Sequence, residues 1–167
     1  MSSKPEERGA TPVDPVLFRR ACGRFVTGVT IVTTMDSNGH PHGMTVNSFA
    51  SVSLDPPLVL VSIDLKNAIL GHFLTSSFFA VNILTDQQTE LSRRFSSTAA
   101  DRFDSVSWTR GVTGAPILDG VLTWLECSLT RSFEAGDHHV LIGAVCGAGL
   151  SDGRPLLFYN SGYAFLA

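Results

Sequence analysis

The amino-acid sequence predicts a mainly β protein, an antiparallel barrel with a few short helices at its periphery. Seven or eight runs of apolar and β-branched residues have the length of strands. Most connections between these runs are short enough for hairpins, and the three helical patterns do not alternate regularly with the strands. A doubly wound parallel sheet requires such alternation, so the sequence favours the antiparallel barrel.

The composition is that of one folded domain. The chain has 167 residues, of which 44% are hydrophobic and 16% are charged. This length is typical of a single domain, and the composition is the opposite of that of disordered chains. Residues 1–12 are polar and contain proline, so we expect a disordered N-terminal tail followed by one domain at residues 13–167.

Charge and hydropathy exclude two classes of partner. The net charge is −3 and no run of Lys and Arg builds a basic face, which argues against nucleic acid as a ligand. The longest apolar stretch, residues 56–63, is far shorter than a membrane span, and the N-terminus lacks the apolar segment of a signal peptide. We therefore expect a soluble cytoplasmic protein. The low charge also predicts that part of the surface is buried against a partner subunit.

The first predicted elements are a helix and a β-hairpin. Asp14 can cap the helix, because its carboxylate can accept hydrogen bonds from the N–H groups of the first turn. A β-branched run at 28–36 then reaches Asn38 and Gly39, a pair that is typical of hairpin turns since both residues accept positive φ. The returning strand is expected at 41–54.

The rest of the chain predicts further strands, two more helices and one long polar loop. Two prolines end the returning strand, and the next run is apolar on both faces, which is typical of a strand in the middle of a sheet. In chain order we expect a strand at 58–64, a helix at 67–75, a strand at 78–84, a helix at 86–96, a polar loop at 96–115, and strands at 121–129, 138–150, 156–159 and 162–165.

Common catalytic motifs are absent. The sequence contains no GxGxxG after a strand, no P-loop, no GxSxG and no HExxH, which argues against Rossmann dehydrogenases, nucleotide triphosphatases and serine hydrolases. His40 and His42 could form a metal-binding arm, but no third ligand of matching context is apparent, so we expect solvated turn histidines and no metal. Cys127 and Cys146 lie in apolar runs and are expected to be buried, inert thiols.

The most unusual segment is 43–53, which has strand character but carries many small polar side chains. Such a strand end could form an uncharged cradle for a phosphate, or could contact the polar edge of a planar heterocycle. A half-exposed strand with a polar face is the alternative. Basic residues that follow the predicted elements would supply charge to a phosphate if the fold brings them near, and would otherwise be ordinary surface residues.

Several ordered runs together resemble the flavin reductase family, the small NAD(P)H:flavin oxidoreductases of two-component monooxygenases. They include GVTIVTT, HGMTVNSFASVSLDPPLVLVSID, GDHHVLIG and PLLFYNSGYAFL, and the resemblance covers about residues 14–167. It implies an FMN-binding split β-barrel that forms a homodimer and binds FMN or FAD. It also implies that NADH or NADPH donates a hydride to the flavin, and that the reduced flavin diffuses to a monooxygenase component.

The resemblance further implies a set of site residues, taken position by position from the family's motifs. They are Thr45, Val46, Asn47 and Ser48 at the isoalloxazine edge and ribityl chain, Ser62 and Ile63 against the ring, Lys66, Asn67 and Arg94 at the phosphate, Phe95, Arg102 and Phe103 as a cover, and Tyr163 on the nicotinamide side. His138 is the catalytic candidate, with a role in positioning NAD(P)H or relaying a proton. Ala68 stands where many members carry Ser or Thr, so one phosphate hydrogen bond is missing or shifts to a neighbouring residue.

Three alternatives remain open at the level of the sequence. One is a protein on the same barrel without free-flavin reductase activity, either a flavin binder or an oxidase of the pyridoxamine-phosphate-oxidase-like type. A second is an interaction module whose polar strand is only a surface, and a third is a metal-dependent enzyme built on His40, His42 and His138. The residues do not distinguish FMN from FAD, NADH from NADPH, or a flavin prosthetic group from a flavin substrate, and they do not identify the oxygenase.

Overall fold

A seven-stranded antiparallel sheet forms the body of the protein. The structure, a computed structural model, describes residues 11–166, so residues 1–10 of the predicted tail lie outside the described range. The helices in this range are α1 (Pro15–Cys22), α2 (Leu70–Thr75) and α3 (Thr89–Ser96), and a 3-10 turn at Asp86–Gln88 precedes α3.

Twelve strands accompany these helices within residues 11–166. They are β1 (Thr27–Gly28), β2 (Thr30–Met35), β3 (Pro41–Val46), β4 (Ala50–Leu54), β5 (Pro57–Asp64), β6 (Phe78–Ile83), β7 (Trp108–Arg110), β8 (Pro116–Leu118), β9 (Thr123–Ala135), β10 (His138–Leu150), β11 (Leu157–Tyr159) and β12 (Gly162–Ala164). The large sheet has the order β3-β2-β6-β9-β10-β5-β4, and two small sheets, β1-β11-β12 and β7-β8, flank it.

The large sheet curls until its two edges meet. Its edge strands, β3 and β4, are consecutive in the chain and are joined by the short corner 47–49. At this corner the Ser48 hydroxyl donates to the Ser62 carbonyl at 2.8 Å and accepts from the Ser62 N–H at 3.0 Å. The result is an antiparallel barrel with peripheral helices, so the predicted fold class is confirmed.

The predicted first helix and the predicted hairpin turn are confirmed, but the bounds of the returning strand need one correction. The Asp14 carboxylate accepts from the N–H groups of Val16 and Leu17, and Gly39 adopts a φ of 81° in the turn between β2 and β3. The prediction of one continuous strand at 41–54 is wrong, because the chain bends at the corner between β3 and β4. Ser48 there bonds a strand on the other side of the barrel opening, which no local pattern indicates.

The barrel interior is the main hydrophobic core. Strands β2, β5, β6, β9 and β10 turn alternate apolar side chains inward, and α2 adds Leu70 and Phe73 at one end. Phe79 lies near the centre of this core at 2% exposure, and a Cβ on Gly143 would come within 2.6 Å of its ring. Glycine at position 143 therefore leaves the space that the Phe79 ring and the Cys127 side chain occupy.

A second core lies on the outer face of the sheet, beneath α3 and the 97–121 segment. Phe95 of α3 is 1% exposed, and its ring meets Phe103 edge-on with centroids 4.9 Å apart. Glu126 is buried on this face, and its carboxylate accepts hydrogen bonds from the N–H groups of Val112 and Thr113. This layer covers one side of the barrel and holds α3 against β3.

One of the two cysteines that we expect to be buried is exposed in the structure. Cys127 is fully buried in the barrel, and burial raises its pKa to about 12. Cys146 is exposed, so the prediction of a buried thiol there is wrong. The register of β10 shifts between Val145 and Gly147, so the alternation inferred from its apolar run does not continue through the bulge.

No helix within residues 11–166 combines the length and the apolar character that crossing a membrane requires.

Candidate functional site

Two adjoining cavities form a groove on the outer face of the barrel, where β3, the end of β5 and α3 meet. The first, which we call the tyrosine cavity, has a volume of about 310 Å³ and is lined by Val29, Thr45, Val46, Asn47, Ser92, Ser96, Phe158 and Tyr163. The second, which we call the lysine cavity, has a volume of about 380 Å³ and is lined by Met44, Thr45, Asp64, Lys66, Asn67, Ala68, Phe95, Ser96, Ser97, Thr98 and Arg102. Thr45 and Ser96 line both, so the two cavities are continuous.

Hydrogen bonds between β3, α3 and β12 hold the tyrosine cavity in shape. The Thr45 hydroxyl donates to the Ser92 carbonyl at 2.7 Å, and the Ser92 hydroxyl lies 2.8 Å from the Tyr163 hydroxyl. The guanidinium of Arg93 lies over the Tyr163 ring, 5.6 Å from its centroid. The residues that line the cavity itself are all uncharged, which leaves an apolar surface edged by hydroxyls and amides.

The turn after β5 shapes the lysine cavity. The Asp64 carboxylate accepts from the Lys66 N–H at 2.7 Å, and the Asn67 side-chain oxygen accepts from the Ile69 N–H at 3.1 Å. Within residues 11–166 the exposed Lys66 ammonium forms no ion pair. The turn therefore presents a cation at the mouth of the groove.

Arg102 supplies a second cation to the lysine cavity. Its Nη1 donates to the Gly43 carbonyl at 2.9 Å, which fixes the guanidinium beside β3. Its Nε is buried and has no hydrogen-bond partner among the described residues. An unbonded buried N–H costs free energy, and the guanidinium that carries it lines the cavity, where its charge favours an anion.

The groove fits an elongated ligand with a flat body and an anionic end. The tyrosine cavity offers apolar surface with uncharged donors and acceptors, as planar heterocycles require. The lysine cavity offers Lys66 and the guanidinium of Arg102, as a phosphate requires. A flavin nucleotide combines both parts, so the residues present fit this cofactor.

The structure brings most of the predicted site residues to this groove. Those that line it are Thr45, Val46, Asn47, Lys66, Asn67, Phe95, Arg102 and Tyr163. Ser48 and Ser62 bond each other at the adjacent corner, and Phe103 packs against Phe95 beneath the groove.

Two predicted residues lie elsewhere. The Ile63 side chain is fully buried in the barrel core, so only its backbone can face a ligand in the groove. Arg94 lines a separate cavity of about 340 Å³ with Glu90 and Asp119, and its Nη2 donates to the Asp101 carbonyl at 2.8 Å. The phosphate-binding role of Arg94 stays a prediction, and the neighbouring Arg102 is the arginine that reaches the lysine cavity.

His138 lines neither cavity but is paired with a residue that does. It pairs across the sheet with Asp64, which lines the lysine cavity, and its Nδ1 lies 2.7 Å from the Asp137 carboxylate. This hydrogen bond lowers the pKa of Asp137 below its usual value. The half-exposed imidazole is thereby held through Nδ1, and its Nε2 is free to bond a ligand.

Sequence reasoning missed two groove residues on α3, Ser92 and Ser96. They lie four residues apart, so they share one face of the helix, and this spacing was the available signal. The apolar residues Leu91 and Phe95 are the stronger signal in this segment, and they define only the buried side of the helix. The direction in which a polar helix face points depends on how the helix packs, which the spacing does not contain.

Comparison with known proteins identifies the family. Residues 22–167 match the profile of the flavin reductase like domain. The chain belongs to this family. It is 40% identical over 156 residues to the flavin reductase of Pseudomonas putida, covering 93% of this chain and 92% of that protein. It is also 41% identical over 155 residues to the flavin-dependent monooxygenase reductase subunit HsaB of Rhodococcus jostii, covering 92% of this chain and 79% of that protein.

Similarity to a solved structure extends the same result to the fold. The NADH:FAD oxidoreductase SgcE6 of Streptomyces globisporus, in complex with NAD and FAD fragments, is 39% identical with a TM-score of 0.87, covering 95% of this chain and 98% of that one. A Rhizobium meliloti protein named "Probable flavin reductase" is 42% identical over 150 residues, which cover 90% of this chain. This flavin reductase-like chain spans only 48% of that protein's length. The predicted family and fold are confirmed.

Proposed function

We propose that this protein is an NAD(P)H-dependent flavin reductase that supplies reduced flavin to a separate monooxygenase. The observation that carries the proposal is the groove, which has an uncharged flat end and a cationic end at Lys66 and Arg102. The sequence prediction and the names of the relatives agree on this activity. The monooxygenase partner is supported by the Rhodococcus jostii relative, a reductase subunit, and the two nucleotides by the Streptomyces globisporus complex.

In this proposal the residues of the chain bind the flavin and the nicotinamide nucleotide and orient them relative to each other. A bound flavin supplies the hydride-accepting centre, and a nicotinamide nucleotide supplies the hydride. Lys66 and Arg102 hold the phosphate of FMN or FAD, and Thr45 and Asn47 contact the flat part of the ligand. The Thr45–Ser92–Tyr163 hydrogen bonds hold α3 against β3, so the cavity exists before the ligand arrives. A preformed cavity reduces the entropy cost of bringing two ring systems together.

His138 is the residue that we assign to the nicotinamide side. The Asp137 carboxylate fixes its imidazole through Nδ1, which leaves Nε2 as the group that contacts the incoming nucleotide. Its pairing with Asp64 of the lysine cavity would allow contact with a second ligand that stacks on the first. The role is to position this nucleotide or to move a proton at Nε2.

We also propose that the chain forms a homodimer. The described surface exposes many large apolar residues, among them Val16, Leu17 and Phe18 of α1, Phe25, Leu54, Phe133 and Leu150. Helix α1 has no buried residue, although it is capped and well formed. A second copy of the chain would cover these side chains. Sedimentation equilibrium at micromolar concentration tests this proposal, and a monomeric mass would contradict it.

The activity is tested by an assay that crosses two flavins with two nicotinamides. Purified protein should oxidise NADH or NADPH in the presence of FMN or FAD, and the absorbance of bound flavin near 450 nm should bleach when the donor is added. No rate above the buffer blank in any of the four mixtures would contradict the proposal. Bound flavin that keeps its absorbance would instead favour a flavin-binding protein without turnover.

A further inference from the structure

A cluster of two histidines and one aspartate lies next to the groove but outside it. Asp36 follows β2 in the hairpin turn, His42 is in β3 and His72 is in α2. We call these three residues the histidine cluster. The two histidines line a further cavity of about 280 Å³, which shares Ala68 and Arg102 with the lysine cavity. None of the three residues has a part in the proposed hydride transfer.

The three side chains converge as metal ligands do. The Nε2 of His42 lies 3.1 Å from the Oδ2 of Asp36, and one ligand atom from each residue lies within 4.8 Å of the other two. The rings of His42 and His72 are stacked, with centroids 3.7 Å apart and planes 10° apart. Ligand atoms around a tetrahedral zinc ion are roughly 3.3 Å apart, from bond lengths of about 2.0–2.1 Å. The lone pairs of stacked rings lie in parallel planes, so binding of one ion requires the His72 ring to turn out of the stack toward the atoms of His42 and Asp36.

The carboxylate of Asp36 is oriented in advance. Its Oδ1 accepts hydrogen bonds from the N–H groups of Asn38 and His40, both at 2.9 Å, which directs Oδ2 toward His42. The side chain is only 13% exposed, and these hydrogen bonds hold its pKa well below the usual range. Support of a ligating carboxylate by further hydrogen bonds is typical of metal sites, where such support tunes affinity.

We propose that Asp36, His42 and His72 bind one divalent transition-metal ion, with Zn²⁺ as the ion that fits best. Two imidazoles and a carboxylate are ligands that zinc accepts, whereas Mg²⁺ and Ca²⁺ prefer oxygen ligands alone. Water, or His40 with its Nδ1 3.4 Å from the same Asp36 oxygen, completes the tetrahedron. The bound ion would join the hairpin turn, β3 and α2 at one wall of the cavity that contains Arg102.

The sequence could not reveal this site. It singled out His40 and His42 but found no third ligand, since His72 is far along the chain and belongs to a helix. The side chain of His40 is 73% exposed, as expected for a turn histidine. His42 is only 22% exposed and is bonded and stacked, so the expectation that it is solvated is wrong. The barrel brings α2 to β3, and only this packing completes the cluster.

Metal binding can be measured without flavin or nucleotide. Tag-free protein is stripped of metal with a chelator, the chelator is removed, and Co²⁺ is titrated while its visible d–d absorption is recorded. We expect one Co²⁺ per chain, displaced stoichiometrically by Zn²⁺, and a higher thermal midpoint with Zn²⁺ because the ion binds the folded state. Replacing one ligand in His72→Gln should weaken binding by at least about tenfold.

A matched control tests whether the metal binds at the histidine cluster and not at another histidine. His138→Gln also removes a histidine that contacts an aspartate, but outside the cluster, so it should bind Co²⁺ as the wild type does. A second ligand variant, Asp36→Asn, should weaken binding in the same way as His72→Gln, and circular dichroism verifies that both are folded.

If the wild type binds no Co²⁺ or Zn²⁺, or if His72→Gln binds as tightly as the wild type, the proposal is overturned. The cluster is then a stacked histidine pair held by Asp36. Because the assay contains no flavin, its failure would leave the proposed reductase activity unaffected.

Discussion

The two faces of the seven-stranded sheet serve different purposes. The inner face is apolar and closed, with Phe79 and Cys127 almost without exposure. The outer face near β3 opens into the groove, where Thr45 bonds α3 and the exposed Lys66 forms no ion pair with the described residues. The same antiparallel strands build both surfaces, because successive side chains of a strand point to opposite faces.

Because the two faces differ in this way, substitutions on one should affect mainly stability and substitutions on the other mainly ligand binding. Residues on the inner face gain their contacts from the fold itself, so substitutions there should lower the free energy of unfolding. Polar residues in the groove have unused hydrogen-bonding capacity, as the Nε of Arg102 shows. Substitutions of groove residues that make no hydrogen bond within the protein should change ligand affinity and leave the fold almost as stable as before.

Phe79→Ala should have the largest effect and should act on stability. It removes a ring that is 2% exposed and leaves a cavity in the barrel, which costs about 3–5 kcal/mol of unfolding free energy. Urea unfolding of the flavin-free protein measures the loss. The control is Phe165→Ala, which removes a phenyl ring that is 58% exposed and should change stability by no more than about 0.5 kcal/mol. Similar losses in both variants would contradict the assignment of the inner face as the core.

Lys66→Met should weaken flavin binding and leave stability unchanged. The loss of one charge-assisted hydrogen bond to a phosphate corresponds to about 1.5–3 kcal/mol, or about a tenfold to a hundredfold change in the dissociation constant. Fluorescence titration with FMN measures this constant. Riboflavin, which lacks the phosphate, should bind both proteins equally, and an equal loss for riboflavin would contradict a phosphate-binding role for Lys66.

Arg94→Met tests whether Arg94 contributes less than Lys66 to FMN binding. Because Arg94 lines a separate cavity and bonds the Asp101 carbonyl, we expect a smaller loss of FMN affinity than in Lys66→Met. The same titration measures it. A loss as large as that of Lys66→Met would mean that the arginine turns to the phosphate when the ligand binds, as the family resemblance implies.

Thr45→Val should produce a moderate effect on both properties. It deletes the hydrogen bond from the Thr45 hydroxyl to the Ser92 carbonyl, which corresponds to about 1 kcal/mol, and it loosens α3 at the groove. The KM for flavin should rise together with this loss of stability. Thr45→Ser keeps the hydroxyl and should restore both values, and failure of that restoration would show that the methyl group, not the hydrogen bond, matters.

The smallest expected effect is the acid dependence that Asp137 contributes. Its hydrogen bond to His138 lowers the pKa of Asp137 in the folded protein, so the bond stabilises the fold above the ordinary carboxyl pKa. This stability is lost as the pH falls through the lowered folded-state pKa. Asp137→Asn should therefore flatten the curve of unfolding free energy at pH values below the ordinary carboxyl pKa. Asp152→Asn, which removes another exposed carboxylate, is the control, and an equal flattening there would contradict a specific Asp137 contribution.

The sequence by itself determined the fold class and the elements that local chemistry defines. The Asp14 cap and the Asn38-Gly39 turn are local chemistry, and the helix and hairpin that they predict are present. The segment at 45–47 also lies at the groove, as the family resemblance implies. Local signals succeed here because the groups that satisfy each other are only a few residues apart.

Tertiary structure alone decided where distant residues meet. The corner at Ser48 bonds Ser62 across the barrel opening, and the polar face of α3 turns Ser92 into the groove. The stacking of His72 on His42 belongs to the same class of contact. In each case the closing of the sheet sets the distance between side chains that are far apart in the chain, and neither periodicity nor composition records how a sheet closes.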